Sequence, residues 1–252
     1  MASGVAWRLY QCGYCVLITE VDQPLAVRRR VAFCEAVYDG KAVIEGVESR
    51  LIQRIEEADP LWRQGKIPVM VDPGCEAKHL MDPDVLIDAT MAKRNLGTSL
   101  QDAPLLIGLG PGFEAGRNVH FVVETKRGHS LGRLITRGRA EADTGVPGPV
   151  MGVTTDRLLR SPGDGPWQNH LDIGARVQAG DIVGSAGGRE VKAKIDGVLR
   201  GLIRPGIPVK KGLKIGDIDP RGEESYCYTI SEKALAIAGG ALEGILRFYR
   251  PS

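Results

Sequence analysis

Apolar residues in the first half of the chain gather into short, continuous runs at 15–19, 67–71, 85–87, 104–109 and 119–123, rich in Val, Ile and Leu. Runs of this length, β-branched and without polar alternation, predict strands buried on both faces. Residues 5–10 read as a helix, and Leu51, Ile55 and Leu61 give 51–62 helical spacing. Strands that alternate with helices predict an α/β domain built on a mostly parallel sheet, here over residues 1–150. Residues 144–149, Thr-Gly-Val-Pro-Gly-Pro, are loop chemistry and connect it to a second domain.

The second domain, residues 151–222, repeats itself. At an offset of 32, Asp164-Gly165 falls on Asp196-Gly197, Gly174 on Gly206, Val177 on Val209, Gly180 on Gly212 and Val183-Gly184 on Ile215-Gly216. Each half reads as a tight Asp-Gly turn, a strand, Gly-x-x-Val-x-x-Gly and another strand. Neither half can bury a face alone, so the two are expected to interlock. Over 223–252, Ser231 is placed to cap a last helix with Leu235, Ala238, Leu242, Ile245 and Tyr249 along one face, packed on the core, although Gly239-Gly240 weaken its middle.

Composition narrows the classes. Lys and Arg number 33 against 31 Asp and Glu, so charge gives no case for nucleic acid or an anionic membrane. No apolar stretch approaches the roughly 20 residues of a membrane span, and the first ten residues lack the pattern of a secretory leader. The expected location is the cytoplasm. The five cysteines are odd in number and scattered, and Cys12-Gly13-Tyr14-Cys15 has no second pair or histidines at metal spacing, so no metal is assigned.

Candidate chemistry sits at strand ends. Glu20, Asp72, Asp88, Gly110 and Glu124 each follow an apolar run, where ligands bind in open parallel sheets, although acids there also cap helices and form turns. Gly110 and Gly112 belong to a glycine-rich stretch, 108–116, that lets a backbone approach a phosphate; Pro111 removes a donor, and a strand follows where a dinucleotide fingerprint needs a helix. Lys93 and Asn95 share one polar loop, and Arg127 and His129 share a basic one, either able to meet a phosphate or carboxylate or to lie solvated. No catalytic residue is assigned.

Two resemblances follow from these strings. The duplicated half resembles the barrel-sandwich domains of biotinyl and lipoyl carriers. The segment joining its halves, Gly184-Ser185-Ala186-Gly187-Gly188-Arg189-Glu190, lacks the lysine such a carrier modifies, so the module is read as a docking or structural one. Across nearly the full length, Glu20 to Arg29, Glu35 to Gly40, Ala92 to Thr98, Gly108 to Gly116, Val122 to Thr125 with Gly132-Arg133, and Gly212 to Arg221 resemble the YqeB-type accessory proteins of selenium-dependent molybdenum hydroxylase systems. That resemblance implies a maturation or supply factor partnered with a molybdenum hydroxylase or a cofactor-pathway protein, and a Rossmann-like domain binding a nucleotide or dinucleotide. Such proteins begin with a strand and glycine turn ahead of the stretch matching Ala2 to Ala6, so the Rossmann-like sheet is expected to be N-terminally incomplete, with Glu20 suited to a ribose. A nucleotide-dependent enzyme, an oxidoreductase or transferase, is the alternative.

Overall fold

The computed structural model describes residues 1–250. The chain runs α1 (Ala2–Gln11), β1 (Ile18–Glu20), α2 (Ala36–Asp39), β2 (Lys41–Ile44), β3 (Val47–Ile52), α3 (Ala58–Arg63), β4 (Ile67–Val71), α4 (Ala77–Met81), β5 (Val85–Asp88), β6 (Leu105–Leu109), β7 (Glu114–Ala115), β8 (Phe121–Val123), β9 (Leu134–Ile135) and β10 (Gly138–Arg139). Then follow β11 (Leu158–Arg160), β12 (Gly165–Asn169), β13 (Arg176–Val177), β14 (Ile182–Ala186), β15 (Arg189–Lys192), β16 (Gly197–Leu202), β17 (Pro208–Val209), β18 (Lys214–Asp219) and α5 (Glu232–Phe248). The fold is mixed α/β, with parallel strand pairs and a C-terminal helix. Two compact units form: Met1–Val21, Arg50–Gly145 and the chain from Ile230 make the first, Asp22–Ser49 and Val146–Thr229 the second. Residues 22–49, read from sequence with the first domain, therefore pack with the later stretch.

In the first unit, β6 pairs in parallel with β5 and with β8, and β9 closes the sheet antiparallel to β8. All five residues of β6 are buried, as its unbroken apolar run requires. Successive side chains point to opposite faces. Leu105, Ile107 and Leu109 meet Val5 and Leu9 of α1 and Ile237, Ala238, Ala241 and Ile245 of α5, while Leu106 joins Phe113, Val119 and Val122 on the other face. Each such Leu or Ile contributes about 1.5–3 kcal/mol by leaving water. Ser231 caps α5 as expected, its hydroxyl accepting from the Ala234 N–H at 3.3 Å. Gly240, a weak helix former, is needed for contact: a Cβ there would stand 2.2 Å from the Gly132 carbonyl oxygen.

Two expectations are corrected. The parallel pairs do not share one sheet: β1 pairs with β4 in a second sheet, apart from β5-β6-β8-β9. The connecting helices are short; at 1.5 Å per residue the six-residue α3 is about 9 Å long, too little to cover one wide sheet. Residues 51–62 are not one helix. Residues 47–52 form β3, with Val47, Ser49 and Ile52 buried. Pro60 is tolerated only in a first helical turn, so α3 starts at Ala58 and cannot extend back to Leu51.

The second unit holds the repeat. Its two copies are β11 to β14 and β15 to β18, arranged as two four-stranded sheets, β11-β18-β16-β13 and β15-β14-β12-β17, each drawing two strands from each copy. The copies interlock by equivalent hydrogen bonds: Gly174 N–H donates to Leu199 O at 2.9 Å and Gly206 N–H to Trp167 O at 2.7 Å. The Asp-Gly aspartates also reach across, Asp164 accepting from Lys211 N–H and Asp196 from Ala179 N–H, both at 2.8 Å. Trp167, Leu199, Val183, Ile215, Val177 and Val209 fill one core between the sheets. The β14–β15 hairpin turns at Gly187-Gly188. Residues 22–49 lie on this module: Val27 O accepts from Leu202 N–H at 2.7 Å, Arg29 pairs with Asp172, and Arg204 pairs with Asp39 at 2.5 Å and stacks on Tyr38.

Candidate functional site

The carboxyl ends of β5 and β6 lead into loops that, with β7 and β10, enclose a cleft of about 660 Å³. Lys93, Asn95 and Gly112, three of the sequence candidates, line it, together with Arg94, Glu114, Arg117, Arg139 and Asp143. Its shape is fixed from the backbone up. Asp88, 9% exposed at the end of β5, accepts from Thr90 N–H at 3.0 Å, Thr90 Oγ1 at 2.7 Å and Thr98 Oγ1 at 2.6 Å, which folds the loop carrying Lys93 and Arg94. Asn95 completes that loop by accepting from Gly97 and Thr98 N–H and donating to Thr98 O. Gly112, at φ +111°, lets this loop rest backbone to backbone on the β6–β7 turn: a Cβ would lie 2.7 Å from Arg94 N. Gly110 N–H donates to Val123 O, and a Cβ there would meet Thr125 Oγ1 at 2.3 Å. The close approaches these two glycines permit are thus to protein.

On the opposite wall Arg139 of β10 stands directly across from Glu114 of β7. Glu114 Oε2 accepts from Arg139 Nε at 3.1 Å and a terminal guanidinium nitrogen at 2.7 Å, and from Arg117 at 3.2 Å. Arg139 first, then Arg117, hold the Glu114 carboxyl below its ordinary range. Lys93 pairs with Asp143 at 2.5 Å and does the same to it. Arg94 is exposed and forms no ion pair among the described residues. The cleft therefore offers four cations against two carboxylates. Among the described residues its wall carries no Ser, Cys or His, and the cleft is suited to holding an anion.

The remaining candidates lie elsewhere. Glu20 ends β1, in the other sheet, with its carboxyl pushed up by burial and one oxygen accepting from Val21 N–H. Asp72 accepts from Glu76 and Ala77 N–H at 2.9 and 2.8 Å and so holds the turn that leads into α4. Glu124, 3% exposed, accepts from Lys126 and Glu141 N–H. Arg127 pairs with Glu232 at 2.5 Å, and His129 is exposed; neither lines the cleft. Glu114, Arg117 and Asp143 have no sequence signal, because an isolated charged residue reads as solvated. Arg139 carries no sequence signal that ties it to Glu114; the two meet through the β7–β10 register. A second cleft, about 610 Å³ along α5 beside Leu242, Leu246 and Arg247, gathers none of the candidates. Among the described residues no three His, Cys, Asp or Glu side chains group as metal ligands, and no helix is long and apolar enough to cross a membrane.

No protein-family model matches the chain. Among solved structures, the product-bound ectoine utilization protein EutE (DoeB) of Ruegeria pomeroyi is 16% identical, with 81% of this chain and 84% of that chain covered, at a TM-score of 0.26. An aspartoacylase family protein of Mesorhizobium loti is 18% identical over 25% of this chain and 23% of that chain, at a TM-score of 0.23. Among curated proteins, the uncharacterized protein YqeB of Escherichia coli (strain K12) is 47% identical over 246 residues. The alignment takes in 98% of this chain and 46% of that protein, so the chain spans about half the length of its relative. Over the aligned residues, the chain is a YqeB-type protein.

Proposed function

We propose that this chain is the ligand-binding and partner-docking part of an accessory or maturation protein serving a molybdenum hydroxylase system in the cytoplasm. The ligand is anionic and nucleotide-like, and it binds in the cleft at the carboxyl ends of β5 and β6. The observation that carries this reading is the convergence of Lys93, Arg94, Arg117 and Arg139, from three separate segments, on one cleft beside the Asn95 loop. Pockets of about 300–1,000 Å³ take ligands of nucleotide size, and guanidinium groups bind phosphate and carboxylate oxygens strongly. The reading treats β5-β6-β8 as part of a Rossmann-like sheet and the repeated unit as barrel-sandwich-like. The lysine-free turn at Gly187-Gly188 supports docking of a protein partner, a molybdenum hydroxylase or a cofactor-pathway protein, over carrying a swinging arm.

A thermal-shift panel of NAD(P), ATP, GTP, CTP and molybdopterin nucleotides tests the ligand, since a ligand that binds only the native state raises its stability. A shift lost in Arg94→Ala supports the cleft; a panel without any shift removes the ligand from the proposal. Affinity capture from the native host tests the partner: repeated failure to recover a molybdenum hydroxylase or cofactor-pathway protein removes that half.

A further inference from the structure

We infer that the cleft recognises a dianionic phosphate group, and that the Glu114 carboxylate holds the place between Arg117 and Arg139 that this phosphate takes on binding. The inference rests on reading the cleft as a ligand site and names the group it reads.

Three observations carry it. The first is charge. Lys93, Arg94, Arg117 and Arg139 face Glu114 and Asp143, which leaves two positive charges to be matched. The second is geometry. A guanidinium presents parallel N–H donors suited to two acceptor oxygens. Here one oxygen, Glu114 Oε2, takes both donors of Arg139 and the donor of Arg117. A phosphate, with several oxygens spread around phosphorus, gives each guanidinium an acceptor of its own and leaves one for the unpaired Arg94. The third is freedom to exchange. The backbone around Glu114 is pinned by its pairing with Arg139 in the β7–β10 ladder and by the Glu114 N–H bond to Asn118 Oδ1 at 2.8 Å. The Glu114 side chain itself is 30% exposed, so it can swing to solvent without disturbing the wall.

The experiment is isothermal titration of the full chain, and of E114Q, E114A, R94A and R139A, with inorganic pyrophosphate, ADP and adenosine at fixed ionic strength. Expected are binding of pyrophosphate and ADP but not adenosine, a roughly tenfold gain in pyrophosphate affinity for E114Q and E114A once the competing charge is removed, and a loss of about tenfold or more for R94A and R139A. ADP tighter than pyrophosphate identifies the phosphate as part of a nucleotide, and equal affinities identify a free one; either supports the inference. If E114Q and E114A weaken binding as R139A does, Glu114 orients the arginines and is not a stand-in; the inference then falls while the cleft stands. Adenosine binding as tight as ADP overturns phosphate recognition. No phosphate binding to any of the five chains overturns the inference and the ligand reading together.

Discussion

Replacing Asp88 by alanine removes the acceptor that folds the 89–104 loop onto the end of β5. Its carboxylate takes three hydrogen bonds, from Thr90 N–H, Thr90 Oγ1 and Thr98 Oγ1, and is 9% exposed. A hydrogen bond to a charged acceptor contributes about 1.5–3 kcal/mol. The three share one group and one loop, so they do not add; the expected cost is about 3 kcal/mol, a fall in Tm of roughly 6–12 °C at 2–4 °C per kcal/mol. Asp88→Asn retains one acceptor oxygen for Thr90, and its amide donates to the Thr98 hydroxyl, which can turn to accept. Its cost is about 1 kcal/mol, or roughly 2–4 °C. The assay pairs thermal unfolding followed by circular dichroism with limited trypsin digestion, because Lys93 and Arg94 lie in the loop that Asp88 holds. Asp88→Ala should be cut there faster than wild type below the melt, as a locally opened segment is, with Asp88→Asn between. Equal melts for the two variants, or unchanged cleavage in Asp88→Ala, would refute the assignment of this acid to loop anchoring.

Trp167, fully buried between the sheets of the repeat, should cost about 3–5 kcal/mol as Trp167→Ala; its indole N–H has no partner, so Trp167→Phe loses volume without orphaning a donor and should cost about 1–2 kcal/mol by urea titration. Ser231→Ala removes the cap of α5 and should lower stability by about 1 kcal/mol, read as a Tm fall of roughly 2–4 °C. Lys78 and Asp102 pair at 2.8 Å. Burial pushes Asp102 up, but the bonds from Lys78 and Ser99 N–H outweigh it and leave its carboxyl lowered; the bond to Asp102 raises Lys78. A lowered acid stabilises above its unfolded pKa and loses that effect as pH falls through the folded value; a raised lysine stabilises below its unfolded pKa and loses it as pH rises through the folded one. The pair therefore acts fully from about pH 4 to pH 10. The Tm gap between wild type and Asp102→Asn should be widest at neutral pH and narrow as pH falls below about 4; a gap independent of pH would exclude the ion pair as its source.

What could be read in the sequence was whatever is encoded locally. The β6 run, the Ser231 cap and the 32-residue repeat depend on neighbours or on self-similarity, and each appears in the fold near its expected place. Residues 51–62 mislead because Leu51, Ile55 and Leu61 satisfy a helical period although Leu51 and Ile52 end β3, and Pro60 alone marks the helix start near Ala58. The partnership of 22–49 with the repeat depends on contacts such as Arg204 with Asp39, 165 residues apart, and no local pattern reports it. The same division runs through the site. Lys93, Asn95 and Gly112 were found because strand-end loops are where ligands bind. Arg139 and Glu114 meet only through the β7–β10 register, which no spacing rule announces. The acids show the deeper ambiguity. A loop N–H and a ligand hydroxyl ask the same thing of a carboxylate, so Asp72, Asp88 and Glu124 look alike in sequence whichever they serve. Their bonds to Ala77 N–H, Thr98 Oγ1 and Glu141 N–H commit lone pairs to the chain itself. Glu114 differs in kind: its partners are the exposed cationic side chains of Arg117 and Arg139, which a better anion can take over. That difference makes it, among the strand-end acids of this unit, the one whose removal should strengthen ligand binding.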